Sequence, residues 1–215
     1  MKEIVIFVMA NLLLLNPLTT EAQKTKAETI LDKVAEKTNS YNTVKIIFSY
    51  SMDNEEQDIH ESYRGEIISK GDRFRLKVAG QEIINNGKKV WTYIPDAQEV
   101  QLNNVTEDNT RFNPTQLIEN YSENFETEFI KNTTENNRKL AAIKLTPKNE
   151  DETFEKAHLV VDRARNEIYK LIIFGEMGNK FTYTIEELLP NISIAEGAFK
   201  FDKEKHPDVD VIDMR

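Results

Sequence analysis

From Tyr63 to Val100, apolar and charged positions alternate along the chain. Phe74, Leu76 and Val78 interleave with Arg73, Arg75 and Lys77, and turn-forming pairs stand at Gly71-Asp72, Asn86-Gly87 and Pro95-Asp96. A period of two puts each set on its own face of a strand, and Asn-Gly suits the tight turn of a hairpin. The segment therefore predicts antiparallel strands with one apolar side. Their expected spans are about 59–69, 73–78, 82–85, 90–94 and 99–102. Before them, Val44, Ile46, Phe48 and Tyr50 share one face of a strand expected over 43–52.

Two stretches keep helical spacing instead. Between Lys24 and Thr38, Ile30, Leu31, Val34 and Ala35 form one stripe with Glu28, Asp32, Lys33 and Glu36 outside it. Asn113-Pro114 opens a short second helix through Leu117, Ile118 and Tyr121. Strand patterning then resumes at about 125–131, 139–145, 157–162, 168–175, 180–189 and 199–201, each segment bounded by turn-like residues such as Asn136-Asn137 and Met177-Gly178-Asn179.

No interval holds a crossover helix of usual length, so the sheet is expected to be antiparallel. The fold class is mostly β with a few α-helices. About ten strands are too many for a flat open sheet, which curls or splits into two layers. Curling gives a curved, incomplete antiparallel β-barrel, covered by short helices around a hydrophobic cavity, because two small helices cannot fill a deep concavity. A solidly packed sandwich is the alternative.

The 215 residues suit one domain with a core large enough to dispense with metals or disulfides. An apolar run, Ile4 to Ala10 and Leu12 to Leu15, follows Lys2 and is broken at Asn16-Pro17. It is too short to span a bilayer and reads as a signal peptide over residues 1–22, leaving a single domain over 23–215. The chain has no cysteine, so neither disulfides nor an N-terminal lipid anchor is available, and a soluble periplasmic product is expected.

Charge and motif content narrow the chemistry. Lys plus Arg number 28 against 37 Asp plus Glu, a net charge of -9 that repels phosphate backbones, so nucleic acid is not expected as a partner. The Arg73, Arg75 and Lys77 stripe reads as a solvated outer face. His60, His158 and His206 lack metal-ligand spacing, and no nucleophile elbow or Gly-rich phosphate loop occurs, so no catalytic residue, metal or cofactor is expected. Trp91 and Tyr93 share a strand face suited to a lipid hollow or to a core.

Several of these segments carry a resemblance. The leading helix, the Val44 to Tyr50 strand, the hairpin Gly65-x-x-x-x-Lys70-Gly71-Asp72-x-Phe74-Arg75 and the run Asn86-Gly87-Lys88-x-Val90-Trp91-x-Tyr93-x-Pro95 resemble the LolA family of periplasmic lipoprotein carriers. Phe199-x-Phe201 and Pro207-x-Val209-Asp210-Val211-Ile212-Asp213 with terminal Arg215 are similar to that family's closing strand and tail. The resemblance implies an open barrel under helices. It also implies a monomeric carrier that takes acylated lipoproteins from an inner-membrane ABC-type exporter and delivers them to the outer membrane, with or without an acceptor there. Where the family usually has an Arg-Pro pair, Lys70-Gly71 stands, which keeps a positive charge at the cavity mouth without the guanidinium fork.

On this reading Phe48, Ile67, Phe74, Leu76, Val78, Trp91, Tyr93, Leu117, Ile118, Phe181 and Tyr183 line an acyl-chain cavity, and Ile30, Leu31 and Val34 belong to its lid. Core packing is the alternative at every one of these positions. At the level of the whole protein the alternatives are a lipid- or lipoprotein-sensing interaction domain, a carrier of another amphiphile such as a glycolipid, and an enzyme acting on envelope glycans or lipids.

Overall fold

The computed structural model describes residues 24–106, 118, 121–149 and 154–215. The proposed signal segment, Leu117 and most of the expected second helix lie outside them. Helix α1 (Lys26–Asn39) begins at a capping box, in which the Thr25 hydroxyl accepts from the Glu28 amide and the Glu28 carboxylate accepts from the Thr25 amide. Its buried stripe is Ala27, Leu31 and Val34. A single helical turn, α2 (Tyr121–Asn124), precedes the second half of the sheet.

Among the described residues twelve strands form one sheet: β1 (Val44–Asn54), β2 (Ile59–Lys70), β3 (Arg73–Val78), β4 (Gln81–Asn85), β5 (Lys89–Ile94), β6 (Glu99–Asn104), β7 (Phe125–Glu135), β8 (Arg138–Pro147), β9 (Phe154–Asp162), β10 (Glu167–Gly175), β11 (Lys180–Pro190) and β12 (Asp210–Asp213). The spatial order β12-β6-β5-β4-β3-β2-β1-β11-β10-β9-β8-β7 describes two meanders joined at β1 and β11. The sheet is curved and does not close, as the alternation and turns imply. Asn136 and Asn137 both take positive φ, 49° and 62°, in the tight β7–β8 turn.

Two expectations give way at the C-terminus. Phe199-x-Phe201 alternates like a strand but lies in successive turns, with Lys200 N–H donating to the Gly197 carbonyl, and both rings are buried as anchors. The closing strand is β12, which pairs in parallel with β6 from Asp210↔Glu99 to Asp213↔Leu102. The chain between the two, which includes β7 to β11, supplies the long connection that a parallel pair requires.

Residues paired directly across antiparallel strands share a face, so the registers sort the side chains into two surfaces. The inner, helix-bearing face holds two apolar clusters. One joins Leu31 and Val34 of α1 and Tyr121 of α2 to Ile143, Leu145, Leu159 and Val161 of β8 and β9. The other joins Val44, Ile46 and Phe48 of β1, Ile67 of β2, and Phe74 and Leu76 of β3, with Tyr183, Ile185 and Leu188 of β11 packed against it. Helix residues contribute to the first cluster and none of the described ones to the second.

Candidate functional site

The second cluster is the candidate site, and its floor is assembled strand by strand. Ile46 pairs with Ile67 of β2 and Leu188 of β11, and Ile67 pairs with Leu76 of β3. Phe48 pairs with Gly65, whose missing side chain leaves room for the ring: a Cβ there would lie 2.3 Å from Phe48 Cζ. A β-bulge between Ile47 and Phe48 shifts β11 by one residue and keeps Ile185 and Tyr183 on the inner face.

Exposure rises along β1. Val44, Ile46 and Phe48 are 3%, 5% and 7% exposed, whereas Tyr50 and Met52 are half-buried. Around Tyr50 stand Tyr183 at 5.1 Å between ring centroids, Tyr63 at 6.2 Å and Phe181 at 6.4 Å, with the last two stacked on it. This aromatic end abuts the β1–β2 and β10–β11 turns. Buried Asn54 fastens those turns together, donating to the Met177 carbonyl at 3.0 Å and to Asn179 Oδ1 at 2.8 Å while accepting from the Gln57 amide.

The structure gathers Phe48, Ile67, Phe74, Leu76, Val78 and Tyr183 in this one cluster, and Phe181 joins it through Tyr50. It does not gather the rest. Ile118 is fully buried in the first cluster with Leu31 and Val34, and Ile30 packs against that cluster. The three lid residues thus cover the β7–β10 half of the inner face. Lys70 is exposed at the β2–β3 turn, beyond the fully or nearly buried Ser69, Val44 and Phe74 rather than at the aromatic end.

Trp91 and Tyr93 are on the opposite face. Trp91 pairs with Ile84, which pairs with Arg75, so all three point away from Phe74 and Leu76. There they pack with Val100, Phe201 and Val209 under the C-terminal segment. The same segment touches the basic stripe that the alternation assigns to solvent, where Arg73 and Lys77 stay exposed and Arg75 is partly buried. Arg73 lies over the Phe199 ring at 5.4 Å, and Arg75 Nη2 donates to the Lys200 carbonyl at 2.9 Å. A groove of about 670 Å³ on this outer face is lined by Arg64, Glu66, Arg75, Lys77, Glu82 and His206 among others, its charges largely paired as Arg75–Glu82 at 3.4 Å and Lys77–Glu82 at 3.5 Å.

Val44, Ile46, Ile83, Ile185 and Leu188 of the floor, and Tyr50 and Tyr63 of the aromatic end, are absent from the sequence-derived lining. The period of two already places Tyr50 with Phe48, but Tyr63 follows exposed, polar His60, Glu61 and Ser62, and only the β1–β2 register brings it opposite Tyr50. Burial pushes the Tyr183 hydroxyl up to about 12 and also raises that of Tyr50, to which the Glu61 charge adds. Among the described residues no cluster of three or more His, Asp or Glu side chains is arranged to hold a metal ion.

Comparison with known proteins agrees with this architecture. The family described as Outer membrane lipoprotein carrier protein LolA matches residues 39–202. Among curated proteins none is similar in sequence. An uncharacterized conserved protein of Thermus thermophilus is similar in fold, with a TM-score of 0.59 at 10% identity over 88% of this chain and 99% of that one. A LolA superfamily protein of Nitrosomonas europaea gives 0.43 at 13% identity over 83% and 99%. The Mycobacterium tuberculosis lipoprotein LppX gives 0.49 at 9% identity over 78% and 98%. With the family match spanning most of its length and the open, helix-bearing sheet in place, the chain belongs to the LolA family.

Proposed function

We propose that the protein is an exported carrier that shelters the acyl chains of lipoproteins against the inner face of β1–β3 and β11. It collects them from an ABC-type exporter in the inner membrane and delivers them across the periplasm to the outer membrane. The N-terminal apolar segment serves export and is removed. The observation that carries this reading is the division of the inner face: α1 packs on one half, while the aliphatic floor of the other grades into half-buried aromatic rings.

The energetics suit transport. Each methylene held in water costs about 0.8 kcal/mol, so a fatty chain forfeits roughly 10 kcal/mol unless it is covered. Release requires that part of this be offset on binding, and a wall of aliphatic and aromatic side chains with few hydrogen-bonding groups gives attraction without tight complementarity. Phe48, Leu76 and Tyr183 supply such a wall.

Mass spectrometry of material that co-purifies with the exported protein tests the proposal. Acylated peptide in the bound fraction is the expected result. Recovery of free lipid without acylated peptide, together with failure to take up a synthetic diacylated lipopeptide, would overturn it.

A further inference from the structure

The aromatic end of the inner face contains polar groups that the fold itself does not use. Tyr63 Oη donates to Glu61 at 3.3 Å, but neither the Tyr50 nor the Tyr183 hydroxyl has a hydrogen-bond partner among the described residues, although both rings are packed in the aromatic layer. Neither hydroxyl oxygen is shut off from solvent, so both stand at the wet rim of the aromatic layer, open to water or to a ligand. Tyrosine is the side chain suited to a boundary with an apolar side and a wet side.

The charges at this end are arranged against an anion. Asp53, Glu55, Glu56, Asp58 and Glu61 surround the β1–β2 turn. The nearby cations are engaged: Lys180 lies 3.8 Å from Asp53, and His60 lies 3.3 Å from Asp53 and 3.9 Å from Asp58. Arg64 pairs with Glu186 at 2.9 Å, and its position opposite Ser49 places it on the outer face. A phosphate brought to Tyr50 would meet acidic side chains and no uncommitted cation among these.

We infer that the Tyr50–Tyr63–Tyr183 end holds the polar head of the bound amphiphile, and that this head is uncharged and oxygen-rich, as in a glyceryl ester or a sugar, rather than a phosphate. The inference rests on the carrier reading. Tails lie toward Ile46, Ile67 and Leu76, and the two free hydroxyls donate to ester or hydroxyl oxygens.

Displacement of the apolar fluorophore N-phenylnaphthylamine tests this with three lipids of identical acyl chains: diacylglycerol, monoglucosyl diacylglycerol and phosphatidic acid. For the wild type, one or both neutral lipids should displace the probe at a concentration roughly tenfold lower than phosphatidic acid, and the better of the two identifies the head. The Tyr50→Phe/Tyr183→Phe variant should lose about that factor for the neutral lipids relative to phosphatidic acid, each measured against the variant's own affinity for the probe, as expected for one or two hydrogen bonds. Equal or tighter binding of phosphatidic acid, or a double variant that keeps its affinity for neutral lipid, overturns the inference alone. A wild type that takes up neither probe nor lipid overturns the carrier reading with it.

Discussion

The ring of Phe48 occupies the space above Gly65, its partner across β1 and β2, so closely that three ring carbons lie within 2.3 to 2.9 Å of where a Cβ would stand. Gly65 is needed here for room, since it is not among the glycines with positive φ. Gly65→Ala should push Phe48 out of its place in the floor and destabilise the protein by about 1–3 kcal/mol, the usual cost of overpacking. Chemical denaturation measures the loss, and probe binding should weaken with it. Unchanged stability would mean that the ring yields freely and the floor is softer than described.

A charge on either inner-face cluster should act differently. Leu76 sits in the cluster without described helix cover, and Ile118 is fully enclosed beneath α1. Leu76→Glu should abolish acyl-chain uptake, because a carboxylate in an apolar wall is costly to desolvate, with the β signal in circular dichroism retained. Ile118→Glu should instead cost roughly 4 kcal/mol or more of folding stability. The reverse outcome would exchange the roles of the two halves.

Asp32 links the helices. Lys24 Nζ donates to it at 2.5 Å and Tyr121 Oη at 2.6 Å, and these hydrogen bonds, that of Lys24 first, lower its pKa below the ordinary 3.8. A carboxyl with a lowered folded value contributes stability above its unfolded value and loses it as pH falls through the folded one. Its side chain is 40% exposed, so solvent screening holds the contribution to about 1 kcal/mol or less. Asp32→Asn should therefore lose a small increment at neutral pH and show a flatter fall below pH 3.8, as read from urea midpoints across the acid range.

The sheet was legible because its strands alternate, and β3 occupies the very span, Arg73–Val78, that its pattern indicates. Turn residues set most of the remaining ends. What alternation does not reveal is the cover. In β4 and β5, Ile83 and Ile84, and then Val90 and Trp91, are neighbours on opposite faces, so either face reads as apolar. The arrival of Phe199, Phe201 and Val209 from far downstream makes the outer one a core, and this removes Trp91 and Tyr93 from the site and partly buries Arg75. Tyr63 is hidden for the converse reason: its own strand end is polar, and its role depends on Tyr50 across the ladder.

Because the chain has a single tryptophan, the location of bound acyl chains can be read by fluorescence. Lipid or lipopeptide carrying brominated acyl chains quenches only indoles that it touches. The account predicts little quenching of the native Trp91 on the outer face and strong quenching of an indole placed on the inner wall by Phe48→Trp in a Trp91→Phe background. Quenching of Trp91 in the native protein, with none at position 48, would contradict it.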